Sequence, residues 1–260
     1  MDGMKRIAKL AGTGALIFTL AYLGFTPAGL GFFGQPARVP TLAELTKANP
    51  GTTAYMEIRR REAEALGKKW RPRFTWVPFA RVSPALVNAV LAAEDSTFYQ
   101  HHGIEWGLTR DALLENLRRG EKARGASTIT QQVARNLYLS PQKSYLRKIR
   151  EMILAQRLEQ TLTKRRILEI YLNIAEWGPG VFGVEAAAQT YFGKPASDLN
   201  WEEAVSLTAV LPSPLRHAAN ADRPWVNLRR QWVWSRLVET RRYTPPPADP
   251  AVPAPSNSGG

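Results

Sequence analysis

Apolar positions along the chain recur at three and four residues over most of its length, the spacing of helices with one buried face. Ser83-Pro84 reads as an N-cap followed by proline at the first helical position, opening a helix toward Ala93. Thr128 and Gln131 have capping-box spacing ahead of Val133, Leu137 and Leu139. A long helical pattern covers 143–162 and a further one 164–173; residues 55–66 also have helical spacing. Gly178-Pro179-Gly180 with Gly183 marks a loop before the Ala-rich helix 184–192, which stops at Gly193. Asn200 and Glu203 repeat the capping-box logic at the start of a helix ending before Pro212. Pro224 opens another, with Trp225, Leu228 and Trp232 on one side. No sustained alternation of period two, no Asn-Gly hairpin and no internal repeat is present, so the fold class is mainly α.

Both ends depart from this pattern. Lys5, Arg6 and Lys9 precede uncharged residues 10–37, most apolar over 10–25. Continued to Phe33, the run is long enough for a bilayer core. It predicts a transmembrane anchor at 10–33, a basic cytoplasmic N-terminus at 1–9 and the rest of the chain outside. A cleaved signal peptide is the alternative, but no small-x-small site directly follows the apolar run. Residues 34–75 read as a connecting, membrane-proximal region. In it Arg59, Arg60 and Arg61 are either a solvated face or a contact for anionic headgroups. The Pro- and Ser-rich segment 243–260 cannot bury apolar area and reads as disordered, leaving 76–242 as the folded domain.

Charge narrows the set of partners. Lys plus Arg is 35 against 22 Asp plus Glu, a formal charge of +13, which favours nucleic acid, lipid headgroups or a phosphorylated substrate. A domain held outside the membrane argues against nucleic acid. Zero cysteines remove disulfides, thiolate metal sites and a cysteine nucleophile from consideration.

Three groups of polar residues stand where the helical pattern calls for apolar ones. Glu94 ends the stripe of Val87, Val90 and Leu91, close to a helix C-terminus. Burial and the helix dipole both push its pKa upward, the direction that suits a general acid or base; a helix-end Glu turned to water is the plainer reading. Arg147, Lys148 and Glu151 share one side of a helix with Leu154 and Leu158, while Ile149 and Ile153 take the opposite side. A surface salt bridge fits that doubly apolar helix poorly. Ser127, Thr128, Thr130, Gln131 and Gln132, followed by Arg135 and Asn136, crowd one helix start with donors that suit a sugar or pyrophosphate, or serve as caps.

Taken together, five segments in order resemble the motifs of the peptidoglycan glycosyltransferases, glycosyltransferase family 51. They are Glu94-Asp95-Ser-Thr-Phe98-Tyr-Gln-His101-His102-Gly103, Gly125-Ala-Ser127-Thr128-Ile-Thr130-Gln131-Gln132-Val-Ala-Arg135-Asn136, Arg147-Lys148-Ile-Arg-Glu151, Lys164-Arg-Arg-Ile-Leu-Glu169-Ile-Tyr171-Leu-Asn173, and Gly180-Val-Phe-Gly183 running into Tyr191-Phe192-Gly193. The resemblance is to the monofunctional members. It implies a lysozyme-like, mostly α domain and inverting transfer of a growing glycan, held as an undecaprenyl pyrophosphate, to the 4-hydroxyl of lipid II.

By the same resemblance Glu94 is the general base, and Arg147 and Lys148 face the pyrophosphate. Glu151 is the second acidic residue of the site, orienting those cations, holding a divalent metal such as Mg²⁺, or aiding departure through water. Asp95, Phe98, His101, Ser127, Thr128, Thr130, Gln131, Gln132, Arg135 and Asn136 are implied on the substrate side. Arg135 stands where many relatives have Lys. Glu169 and Asn173 are implied as structural support. His101 reads as an ordering partner rather than a metal ligand, and no cofactor is required. The implied location is the cytoplasmic (inner) membrane, single-pass, with cell wall synthesis proteins as partners. A flexible lid is expected at 120–125. Two rivals stand beside this reading. A lytic enzyme would have no use for the cations at a neutral leaving group, and a non-catalytic basic scaffold would have no use for Glu94.

Overall fold

The computed structural model describes residues 39–119, 127–141 and 144–243. The anchor expected at 10–33, the lid at 120–125 and the tail beyond Tyr243 lie outside the described residues. No helix among the described residues is long and apolar enough to cross a membrane.

The expected helical architecture is present. Nine α-helices are described, α1 (Ala54–Ala65), α2 (Pro84–Glu94), α3 (Trp106–Arg119), α4 (Ile129–Tyr138), α5 (Tyr145–Thr161), α6 (Lys164–Ile174), α7 (Val184–Phe192), α8 (Trp201–Val210) and α9 (Pro224–Glu239). Their ends follow local chemistry. Ser83 accepts from Ala85 N with Pro84 in the first turn, and both capping boxes, Thr128 with Gln131 and Asn200 with Glu203, close in each direction. Gly193 ends α7 in the left-handed conformation at φ 66°.

α4 is the hub, packing against α1, α5 and α6, while α2, α8 and α9 form a second group in mutual contact. Trp177, Tyr171, Phe98 and Phe182 are the largest fully buried side chains. Val39 and Leu45, from the expected connecting region, join the same core.

Two readings of the sequence are corrected, the loop around Pro179 and the assignment of Tyr243 to the tail. The loop around Pro179 is a hairpin: β2 (Glu176–Gly178) runs antiparallel to β3 (Val181–Phe182), which pairs in parallel with β1 (Arg73–Phe74) in the order β1-β3-β2. Strands this short carry no legible alternation. In α9, Leu228 and Trp232 are exposed, Trp225 packs against the core edge, and Val226, Val233 and Leu237 face the core. Two apolar stripes compete in that helix, and packing on α2 and α8 selects the smaller side chains. Tyr243, assigned to the tail, packs edge-on against Trp201 and Trp234, both at 5.0 Å between ring centroids.

Candidate active site

Glu94 is the last residue of α2, and its carboxylate is met by α4: Gln132 Nε2 donates to Glu94 Oε2 at 2.7 Å. Burial pushes the Glu94 pKa up, the Gln132 hydrogen bond and the charges of Arg229 and Arg135 oppose the rise, and Asp95 adds to it. The upward direction is the one read from the sequence. Tyr171, on α6, donates to Gln132 Oε1 at 3.4 Å. Burial and the Glu94 charge hold its hydroxyl well above the usual phenol range, so it stays a neutral donor.

The segment after Glu94 fixes where α4 begins. Asp95, buried, accepts from His101 Nε2 at 3.0 and 3.1 Å and from Ile129 N at 2.9 Å, tying the end of α2 to the first turn of α4. That tie aims Gln132 at Glu94. His101 is buried against Asp95, and His102 is exposed. Phe98 is fully buried beneath the Lys164 ammonium, which lies 4.3 Å from its ring centroid. Thr128 donates to Gly103 O at 2.6 Å, and Thr130 donates to Glu159, which also pairs with Lys164 at 2.8 Å.

Phe98, Thr130 and Gln131 are 0% exposed and Thr128 is 3% exposed, so these side chains pack within the domain. Capping and core packing have claimed them. Gly103 adopts φ +85°, and a Cβ there would lie 3.0 Å from the carbonyl oxygen of Ala155, so only glycine lets α5 approach this junction.

The trio on α5 forms one network. Glu151, 1% exposed, takes Arg147 Nη1 on one carboxylate oxygen and Lys148 Nζ on the other. Lys148 also donates to Ser127 Oγ at 2.8 Å and Gln131 Oε1 at 3.3 Å. The helix is not buried all round: Tyr145 is 86% exposed and Leu146 49%. Gln131 and Gln132 are therefore a hinge between two chemistries. One glutamine contacts the cations and its neighbour contacts Glu94. Both oxygens of Glu151 are taken by cations, and no group of three or more metal-ligating side chains occurs among the described residues, so the donor set does not fit a preassembled metal site.

A cleft of about 500 Å³ opens beside this arrangement, with Gln132, Arg135, Asn136 and Arg147 in its wall. Arg59 and Tyr171, both named in the sequence, line it too, together with Tyr55, Pro141, Ala175, Glu176 and the segment 211–216, which were not singled out there. Arg59 is partly buried, and its Nε donates to Glu176 Oε2 at 3.0 Å. Arg229, whose charge acts on Glu94, comes from α9 and stacks 4.1 Å above the Trp232 ring. Glu169 and Asn173 hold the segment before α2. Phe79 N donates to Glu169 at 3.0 Å, and Asn173 exchanges hydrogen bonds with Val77 at 2.8 and 2.9 Å.

Residues 62–238 match the family model described as Transglycosylase. Among curated relatives, a biosynthetic peptidoglycan transglycosylase of Azoarcus sp. (strain BH72) is 43% identical over 197 residues, covering 73% of this chain and 84% of that protein. One from Aromatoleum aromaticum is 47% identical over 169 residues, covering 65% and 74% respectively. One from Bordetella pertussis is 42% identical over 198 residues, covering 73% and 80%.

Proposed function

Because this chain belongs to the transglycosylase family, we propose that it is a peptidoglycan glycosyltransferase that polymerises lipid II into the glycan strands of the cell wall. The donor is the growing strand held through its anomeric carbon on undecaprenyl pyrophosphate, and the acceptor is the 4-hydroxyl of lipid II. Glu94, as carboxylate, takes the acceptor hydroxyl proton while that oxygen forms a bond to the anomeric carbon. The bond from that carbon to the phosphate oxygen breaks on the opposite face, giving a β-1,4 linkage with inversion. The departing pyrophosphate keeps the electron pair, and Arg147 and Lys148 offset its charge, with Arg135 adding to the field. Glu151 orients the two cations, and Asp95 and His101 keep α4 in register with Glu94.

The observation that carries this reading is the adjacent glutamine pair, with Gln131 on Lys148 and Gln132 on Glu94. The base on α2 and the cationic cradle on α5 are thereby both tied to a third helix, α4, the layout that activation of a hydroxyl opposite an anionic leaving group needs. A hydrolase acting on a neutral sugar leaving group has no use for the cradle. The mainly helical domain is read as lysozyme-like. It is placed outside the cytoplasmic membrane and anchored there by residues 10–33, where the +13 charge faces a substrate carrying two phosphates.

The test is polymerisation of labelled lipid II in detergent. Wild type forming polymer and a folded Glu94→Gln variant forming almost none supports the assignment. Cleavage of preformed glycan without polymerisation would establish the lytic alternative.

A further inference from the structure

The faces that α4, α5 and α6 turn toward Glu94 and its cations all have a place in the chemistry above. The far end of α9 does not. α9 packs on α2, and the chain at its C-terminal end comes back onto the turn that follows Glu94. Arg242 Nη2 donates to the carbonyl oxygen of Ser96 at 3.2 Å, and Arg242 Nη1 donates to Asn88 Oδ1 at 3.4 Å. Arg236 Nη2 donates to Ser96 Oγ at 3.4 Å. Asn88 lies within α2 ahead of Glu94, and Ser96 lies just beyond it. One planar guanidinium therefore spans from the body of the helix to the turn past the base, a reach that suits its fork of donors. Asn88 Nδ2 donates to Pro84 O at 2.9 Å, which leaves Oδ1 for the guanidinium.

The chain takes an unfavourable path to put Arg242 there. α9 ends at Glu239, and Arg241 is the one described residue other than glycine with a positive φ, 55°. A residue with a Cβ adopts that left-handed conformation at a cost, and such positions cluster at functional sites. The reversal lets Arg242 N and Tyr243 N both donate back to Leu237 O, at 2.9 and 3.3 Å, and sets the Tyr243 ring against Trp201 and Trp234. The arm 240–243 is thus anchored by an aromatic ring while the guanidinium beside it enters the junction with α2. Arg242 gives up part of its hydration to do so. Burial lowers its pKa, with Tyr99 and Asp95 opposing, and its Nε is buried without a hydrogen-bond partner among the described residues.

Glu94 is the last residue of its helix, so the direction of its carboxylate depends on a terminal turn with no further helical turn to hold it. Asp95 ties that turn to α4, and Arg242 and Arg236 tie the next residue to α9. The charges that act most on Glu94 belong to Arg229, Arg135 and Asp95, and Tyr171 faces it as a neutral hydroxyl. Arg242 and Arg236 therefore reach the base through the backbone rather than through their field.

We propose that Arg242 and Arg236 are positioning residues for Glu94, clamping the Ser96 turn from α9 so that the carboxylate points at the acceptor hydroxyl. This rests on the reading of Glu94 as the base.

The experiment uses the full chain in detergent with labelled lipid II. kcat, KM, the rate–pH profile and melting temperature are measured for wild type, Arg242→Gln, Arg242→Lys, Arg236→Gln and Arg241→Gly. A loosened base costs rate without costing binding, so Arg242→Gln should lower kcat about tenfold at unchanged KM. Its acidic limb should stay where wild type has it, and its melting temperature should fall by only about 2–4 °C, leaving it folded in the assay. Arg236→Gln should lower kcat by about threefold. Arg242→Lys keeps a donor for Ser96 O and should recover part of the rate. Arg241→Gly keeps the clamp and removes the left-handed penalty, so its kcat should match wild type. Unchanged kcat in both Arg242→Gln and Arg236→Gln overturns the proposal. So does a loss that follows a smaller folded fraction, that appears in KM alone, or that comes with a displaced acidic limb. If Arg242→Gln does not fold, Arg236→Gln and Arg242→Lys carry the same kcat test. A wild type that does not polymerise, or a Glu94→Gln variant that does, overturns the reading of the base instead.

Discussion

Glu94 is held between opposed influences. Burial favours its protonated form, while Gln132, Arg229 and Arg135 favour the ionised one. A carboxyl whose folded pKa lies above its unfolded value of about 4.3 stabilises the fold when protonated, and that contribution is lost as pH rises through the raised pKa. At neutral pH Glu94→Gln removes this penalty and keeps an acceptor for Gln132. The variant should therefore melt no lower than wild type by calorimetry, while its polymerisation rate drops about 10²–10⁴-fold. Arg229→Met removes one of the cations opposing the rise, so the acidic limb of the rate–pH profile should move to higher pH. An unmoved limb would detach Arg229 from the base. The upward shift of Glu94 was legible because helix end and apolar stripe are both local. Arg229 was not, since its nearness to Glu94 exists only once α9 packs on α2.

Among the elements, helix starts were the most legible, because a cap such as Thr128 with Gln131 is written within four residues. α3 was not read at all. Trp106, Leu108 and Leu114 are exposed in it, so these three apolar positions mark no buried stripe. The hairpin shows how tertiary packing sets a glycine's duty. Gly180 and Gly183 have φ of +71° and +82°, yet only Gly183 is hemmed in, since a Cβ there would lie 2.5 Å from Asn173 O. Gly180→Ala meets strain alone and should cost about 1–2 kcal/mol. Gly183→Ala adds a backbone clash and should cost at least about 3 kcal/mol in urea unfolding. Equal costs would mean that the contact with Asn173 is easily relieved.

At the scale of the whole molecule, a formal charge of +13 should draw an anionic lipid-linked substrate from a distance. Raising ionic strength from about 0.1 M to about 1 M shortens the screening length from about 10 to about 3 Å, and should lower kcat/KM by about tenfold with a smaller effect on kcat. Kinetics in which both fall equally would place the charge effect in the chemical step instead. α5 adds a mechanical property to this charge. Its second half is buried through Ile153, Leu154, Ala155 and Leu158, while Tyr145 and Leu146 at its start are exposed. The helix is a lever, clamped where Gly103 meets Ala155 and carrying two cations toward its exposed end. There side-chain hydrogen bonds from Lys148 to Ser127 and Gln131 restrain the ammonium. Lys148 lies seven residues from Ala155, about 10 Å along the axis. A tilt of about 5° at the clamp swings the ammonium by about 1 Å, a displacement that can cost about 10²-fold in rate. Enlarging Gly103 would therefore detune the phosphate cradle without touching any of its charges.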